Sequence, residues 1–150
     1  RFTKKTNPAV EEFARSIQYD YKLAKYDLLG SFAHITILKK AGILKPAEVK
    51  KLLNAMVPLY ESAEKGTLKP GKDEDIHTYI QNNLQKKVGV LALKLHTARS
   101  RNDQVVFATK TYCKIEAIPA LQMAIIKLTD TLLFENETGV FLTQIDNHRK

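Results

Sequence analysis

Ile118-Pro119-Ala120-Leu121-Gln122-Met123-Ala124-Ile125-Ile126-Lys127-Leu128-Thr129-Asp130-Thr131-Leu132 decides how this 150-residue chain is read. Within it Ile118, Leu121, Ile125, Leu128 and Leu132 step by 3, 4, 3 and 4, the spacing that keeps apolar side chains on one side of a helix. A stripe that narrow is a bundle seam, meant for other helices. The helical pattern extends from Gln104 to about Glu135, the longest in the chain, and Pro119 within it marks either a bend or the place where two helices abut.

Upstream, spacings of three and four recur and period-2 alternation is nearly absent, so the fold class is all-α. Asn7-Pro8 predicts a short first helix, an N-cap followed by proline at the first helical position, with Glu11 and Glu12 near the positive end of its dipole and a stop near Ser16. A second helix is expected over about 20 to 40, carrying Leu23, Leu29, Phe32, Ala33, Ile37 and Leu38 and stopping at Ala41-Gly42 behind Lys39 and Lys40. A third is expected from Pro46 to about Lys65, with Val49, Leu52, Leu53, Met56, Tyr60 and Ala63 on one face, Pro58 as a candidate kink and Gly66 as its stop. Gly66 to Lys72 is the clearest loop, after which Asp73 is expected to cap a fourth helix ending near Gly89. Residues 94 to 103 are too polar and irregular for a core helix and read as a structured loop. The division that results is a helical domain with binding loops over 1–103 and the start of a central helical bundle over 104–150. The last segment still carries Val140, Phe141, Leu142 and Ile145 and ends on His148-Arg149-Lys150 without a terminating Gly or Pro, so a chain cut within an element is expected.

Composition narrows the function. Lys and Arg number 24 against 16 Asp and Glu, a net charge of +8, and 44% of residues are apolar with only 6 Gly and 5 Pro. Enough apolar material for a packed core is present, which excludes disordered, collagen-like and mucin-like chains. The longest apolar stretches are broken within a few positions by Lys, Asp or Glu, so no membrane partner is expected. No charged-then-apolar leader opens the sequence and Cys113 is alone, which fits a reducing, cytoplasmic setting. The lysines come mostly as dispersed pairs such as Lys39-Lys40 and Lys86-Lys87, and no nucleic-acid-binding motif is present; a solvated surface is expected, and no nucleic-acid partner.

Two short regions are dense in functional groups: Asp73-Glu74-Asp75-Ile76-His77-Thr78 and His96-Thr97-Ala98-Arg99-Ser100-Arg101-Asn102-Asp103. Capping accounts for about half of them, the acids at one helix start and Ser100 or Asn102 at the next. It does not account for two arginines before a helix start, where cations oppose the dipole. An anion there would repair the mismatch, because backbone N–H groups, Arg, Asn and a hydroxyl converge, and the chemistry indicated is a carboxylate or phosphate site. Asp75, His77 and His96 are metal-ligand types without a ligand spacing, so no metal is expected. Cys113 sits among apolar positions and reads as a buried structural thiol.

The run Lys94-Leu95-His96-Thr97-Ala98-Arg99-Ser100-Arg101-Asn102-Asp103-Gln104-Val105, preceded by Asp73-Glu74-Asp75-Ile76-His77-Thr78, resembles the N-terminal domain of the argininosuccinate lyase family. Arg1-Phe2-Thr3 is similar to the end of that family's Gly-Gly-Arg-Phe opening, and Ser16-Ile17-Gln18-Tyr19-Asp20 to its Ser-Ile-x-Tyr-Asp, in the same order and spacing over about the first 110 residues. The resemblance implies a homotetrameric cytoplasmic lyase of the fumarase/aspartase superfamily that splits argininosuccinate into arginine and fumarate by β-elimination, without cofactor or metal. It implies substrate-binding positions at Ser16 and Asn102, further site-lining positions at Asp20, Asp75 and His77, and a carboxylate held by Ser100 and Arg101. No residue of this chain is assigned as catalytic, with a supporting role left open for His77. His148 falls near the distance of the family's Thr-His, but its neighbours do not match that motif. Departures are Gln81-Asn82-Asn83 where Glu-Arg-Arg is usual and Phe107-Ala108 where Thr-Asp is usual. The alternative is a non-catalytic, crystallin-like or assembly module of the same family.

Overall fold

The computed structural model describes residues 7–69 and 71–138, without the side chains of 135–138. Arg1-Phe2-Thr3, Pro70 and the tail with Val140, Phe141, Leu142, Ile145 and His148 lie outside the described residues. The chain divides into two compact units, Arg1–Thr111 and Tyr112–Lys150, and every regular element among the described residues is helical, as expected.

In the first unit, α1 (Pro8–Ala14) opens as its sequence dictates, Asn7 Oδ1 accepting from the backbone N–H of Ala9 at 2.9 Å. The expected second helix, about 20 to 40, is a 3₁₀ turn and an α-helix, and a further short helix precedes it. In chain order these are α2 (Ile17–Asp20), a 3₁₀ turn (Tyr21–Leu23) and α3 (Ala24–Lys40). A Schellman motif ends α3, with Ile43 N donating to Leu38 O and Gly42 N to Lys39 O, and φ at Gly42 is +73°. The same motif ends α4 (Pro46–Glu64), where Thr67 N donates to Ser62 O and Gly66 N to Ala63 O, with φ of +66° at Gly66. Leu44 and Leu68 follow the two turns into the core. At its start α4 has Pro46 in the first helical position and Glu48 accepting from Lys45 N at 2.8 Å, and it runs on through Pro58.

The core is built by α3, α4, α5 (Ile76–Val88) and a 3₁₀ segment (Gly89–His96), with Leu28, Leu52, Met56, Ile76 and Leu84 among its least exposed residues. Truncating one of them to Ala would cost about 2–5 kcal/mol. Three expectations are corrected here. The buried face of α3 carries Asp27, Leu28, Ser31, Ile35 and Leu38, while Leu29, Ala33 and Ile37 are exposed, because two polar side chains occupy core-facing positions and rotate the apparent stripe. Asp75, not Asp73, caps α5, accepting from Thr78 N at 2.5 Å, while Asp73 is drawn off by the Asn82 amide at 2.6 Å. The stretch read as a loop from 94 ends its 3₁₀ segment at His96 with Ala92 and Leu95 buried, and α6 (Arg101–Tyr112) begins three residues before Gln104.

The second unit opens with a π turn (Cys113–Ala117) followed by α7 (Ile118–Thr138). Pro119 lies in the first turn of α7, directly behind the π turn, whose following residue Ile118 donates its N–H to Cys113 O five residues back, so the proline sits where the helical ladder is already shifted. Cys113 is half-buried, not the buried thiol expected. The seam residues Ile118 to Leu132 are between 47% and 60% exposed. The helical run Arg101–Phe134 is long and apolar enough, by length and composition, to cross a bilayer. That corrects the expectation that every apolar stretch is too interrupted, because Lys127 and Asp130 are the only charges across 117–134.

Candidate functional site

The Ser16–Asp20 segment is latched to the start of α5. Ser16 N and Ile17 N donate to Glu74 O at 2.9 and 3.2 Å, Ser16 Oγ donates to Asp20 Oδ2 at 2.6 Å, and Asp20 Oδ1 accepts from Ile76 N at 3.0 Å. With Asp75 on Thr78 N, two carboxylates thus take N–H groups that a helix start leaves unpaired. Arg101, in the first turn of α6, reaches the same place. Its Nη2 lies 3.4 Å from Thr78 Oγ1 and 3.5 Å from Gln81 Oε1, and its Nη1 is 3.9 Å from Asp75 Oδ1. Ser16, Asp20, Asp75 and Arg101 are therefore gathered around one helix N-terminus. Among the described residues the carboxylate facing Arg101 there is that of Asp75, at the limit of an ion pair; Gln81 offers a neutral amide.

At the start of α6 the cap is Ser100. Its N–H and Oγ–H donate to Asp103 Oδ2 at 2.9 and 3.0 Å while Asp103 N donates back to Ser100 Oγ at 3.2 Å, a reciprocal capping box. Those bonds from Ser100 hold the Asp103 carboxyl below its ordinary pKa. Asn102 is exposed in the first turn and is not the cap. Asp103 also supplies negative charge at this helix start from within the chain, so part of the mismatch that pointed to an external anion is met internally.

Arg99 turns inward, its Nη1 3.3 Å from Ser31 Oγ; burial lowers its pKa and the Asp27 charge opposes that. The loop it belongs to is held by His34, whose Nε2 is 3.0 Å from Thr97 O, and it passes through Ala98 at φ +55°, a left-handed conformation costly for an L side chain. His96, half-buried beside Arg99 and Arg101, has its pKa lowered first by burial and then by those charges. The His77 ring is buried and set on Asp27, with Nδ1 3.1 Å from Asp27 Oδ2. Asp27 has a fully buried side chain and accepts from Gln104 Nε2 at 2.6 and 2.8 Å. Asp27 and Gln104 escape a reading of the sequence. The signal was available on α3, where Asp27, Ser31 and His34 follow one another at helical spacings of four and three.

A cleft of about 380 Å³ is lined by Asp27, Gly30, His34, Arg99, Gln104 and Phe107. Two of its lining residues are close-packed, since a Cβ at Gly30 would stand 2.7 Å from Phe107 Cδ1. Among the described residues no group of three or more His, Cys, Asp or Glu is placed to hold a metal ion.

The first unit is all-helical among the described residues and carries a polar cluster at one helix start, and comparison with known proteins gives the chain a family. The family described as Lyase matches residues 1–138, and the chain belongs to it. An argininosuccinate lyase from Clostridium tetani is 40% identical over 137 residues, covering 87% of this chain and 31% of that protein. Argininosuccinate lyases from Thermoanaerobacter sp. (strain X514) and Arthrospira platensis are 39% identical over 138 residues and 40% over 134, covering 92% and 89% of this chain but 31% and 29% of their own lengths. The chain thus spans a little under a third of the curated relatives it matches. The family resemblance read from its motifs holds.

Proposed function

We propose that the chain is the N-terminal, substrate-binding portion of an argininosuccinate lyase, an enzyme that divides argininosuccinate into arginine and fumarate. The observation that carries this is identity of about 40% to proteins of that name along most of the chain. The geometry supports it. Arg101 meets neutral acceptors at hydrogen-bond distance and a carboxylate only at 3.9 Å, so its charge is incompletely matched and suits a substrate carboxylate. Asn102, exposed beside it, adds an amide donor, and Ser16 a hydroxyl from the latched segment. Asp20 and Asp75 hold the start of α5 in place and Asp75 aims Arg101; Ser100 fixes the turn that presents Arg101 and Asn102.

The reaction is a β-elimination. A base removes a proton next to a carboxylate, the dianion that forms is stabilised, and an acid protonates the departing guanidinium nitrogen. Arg101 and Asn102 serve the middle step, donating to the oxygens on which charge accumulates. No cofactor or metal is called for, and the working protein is a cytoplasmic homotetramer whose bundle covers the seam on α7. A bundle suits that helix better than a bilayer, which would have to accommodate Lys127 and Asp130 near its middle. The test is fumarate release from argininosuccinate by the native assembly carrying this sequence. Turnover is expected; an assembly that binds no argininosuccinate and releases no fumarate overturns the reading in favour of a structural module of the family.

A further inference from the structure

Asp27 is a buried acid that the substrate-binding cluster does not use. It stands where three helices meet, with its own helix α3, His77 of α5 and Gln104 of α6 all on one carboxylate. An ionised carboxylate offers only lone pairs, so every group on it must present a hydrogen or a positive charge. Gln104 does so with its amide. Arg99, donating to Ser31 one turn along α3, adds a positive charge to the surroundings. The third group is the His77 ring, whose Nδ1 is 3.1 Å from Oδ2 but off the axis of a linear hydrogen bond. A bare, electron-rich nitrogen at that distance is repelled by a carboxylate oxygen, whereas a protonated one turns a positive hydrogen toward it, in a medium that screens poorly. The proton therefore belongs on Nδ1.

We propose that Asp27 is a positioning residue that holds His77 in its Nδ1–H tautomer, so that Nε2 is the ring's only acceptor. His34 provides the contrast within the same molecule. Its Nε2 faces the carbonyl oxygen of Thr97, which can only accept, so His34 carries its proton on Nε2. Two histidines of one unit are thus fixed in opposite tautomers, one by a carboxylate and one by a backbone carbonyl. The geometry of this inference is independent of the lyase reading. Its purpose rests on that reading, through the family resemblance that puts His77 among the site-lining positions.

The test is a two-bond ¹H–¹⁵N correlation spectrum of the full chain labelled at histidine, recorded where the rings are neutral and assigned with His34→Gln and His77→Gln. His77 is expected to show a protonated Nδ1 and a bare Nε2, and His34 the reverse. Asp27→Asn is expected to populate Nε2–H at His77 while the His34 pattern stays, which also reports that the fold persists. Gln104→Met, which keeps the carboxylate, is expected to leave His77 unchanged. A bare Nδ1 at His77 in the unaltered chain overturns the proposal, as does an unchanged tautomer in a folded Asp27→Asn chain or a tautomer that flips in Gln104→Met. If Asp27→Asn does not fold, the unaltered chain and Gln104→Met still decide. The expected tautomers in a protein that never releases fumarate would remove the functional reading and leave this one standing.

Discussion

Asn102 and Gly30 show how differently single residues act within this unit. Asn102 is exposed and does not cap α6, so Asn102→Asp places a negative charge in a first helical turn, which the dipole favours. The melting temperature should stay within a few degrees of the parent's. In the lyase assembly proposed above, the same change would replace an amide donor by a charge facing the substrate carboxylate, and fumarate release is expected to disappear. Surviving turnover would move the substrate elsewhere. At Gly30 the constraint is space. A methyl group there meets the Phe107 ring at 2.7 and 2.9 Å, and because the ring is 44% exposed it can partly swing away. Gly30→Ala should cost about 1 kcal/mol in denaturant unfolding. Phe107→Ala should remove that cost, so the double variant is more stable than the sum of the singles predicts. Simple additivity would show that the two residues do not press on each other.

Elements of this chain were legible where their signal is local. Asn7-Pro8, Pro46, Gly42 and Gly66 each declare a helix end through the chemistry of one or two neighbouring residues, and each end falls where they put it. Signals that depend on a distant partner were not. Asp73 looks as good a cap as Asp75 until Asn82, nine residues on, takes it, and the face of α3 cannot be found from its apolar residues because Asp27 is buried on account of Gln104 and His77. The same holds for the site. Its motif residues were recognisable, whereas Asp27, which His77 and Gln104 meet, lies in neither motif and is brought to them only by packing. The Ser100–Asp103 capping box yields a prediction at this scale. Ser100→Ala should cost about 0.5–2 kcal/mol. The folded Asp103 carboxyl is the stronger acid, so the stability it contributes is complete above its unfolded pKa of about 3.9 and is lost as pH falls through the lower folded value. In Asp103→Asn, melting temperature should therefore decline less steeply on acidification than in the parent, and equal slopes would remove this contribution.

For the molecule as a whole, the apolar stripe from Ile118 to Leu132 sets behaviour in solution. Side chains roughly half exposed along four helical turns cannot be covered within α7 itself, so the isolated 150-residue chain should self-associate with rising concentration. Sedimentation that stays monomeric at high concentration would show the stripe is already covered. The two Schellman turns bear on a different property, handedness. At Gly42 and Gly66 the backbone takes the mirror image of the conformation an L residue prefers, and among the described residues no atom beyond the glycine and its chain neighbours lies within 4 Å of where a Cβ would stand. L-alanine at Gly66 should therefore cost about 1–2 kcal/mol with no clash to blame. D-alanine, introduced by chemical ligation, finds that φ ordinary and restricts the unfolded chain, so it should raise stability by about 0.4–1 kcal/mol in denaturant unfolding. At these two turns it is the chirality of the residue, and neither its size nor its charge, that the fold selects.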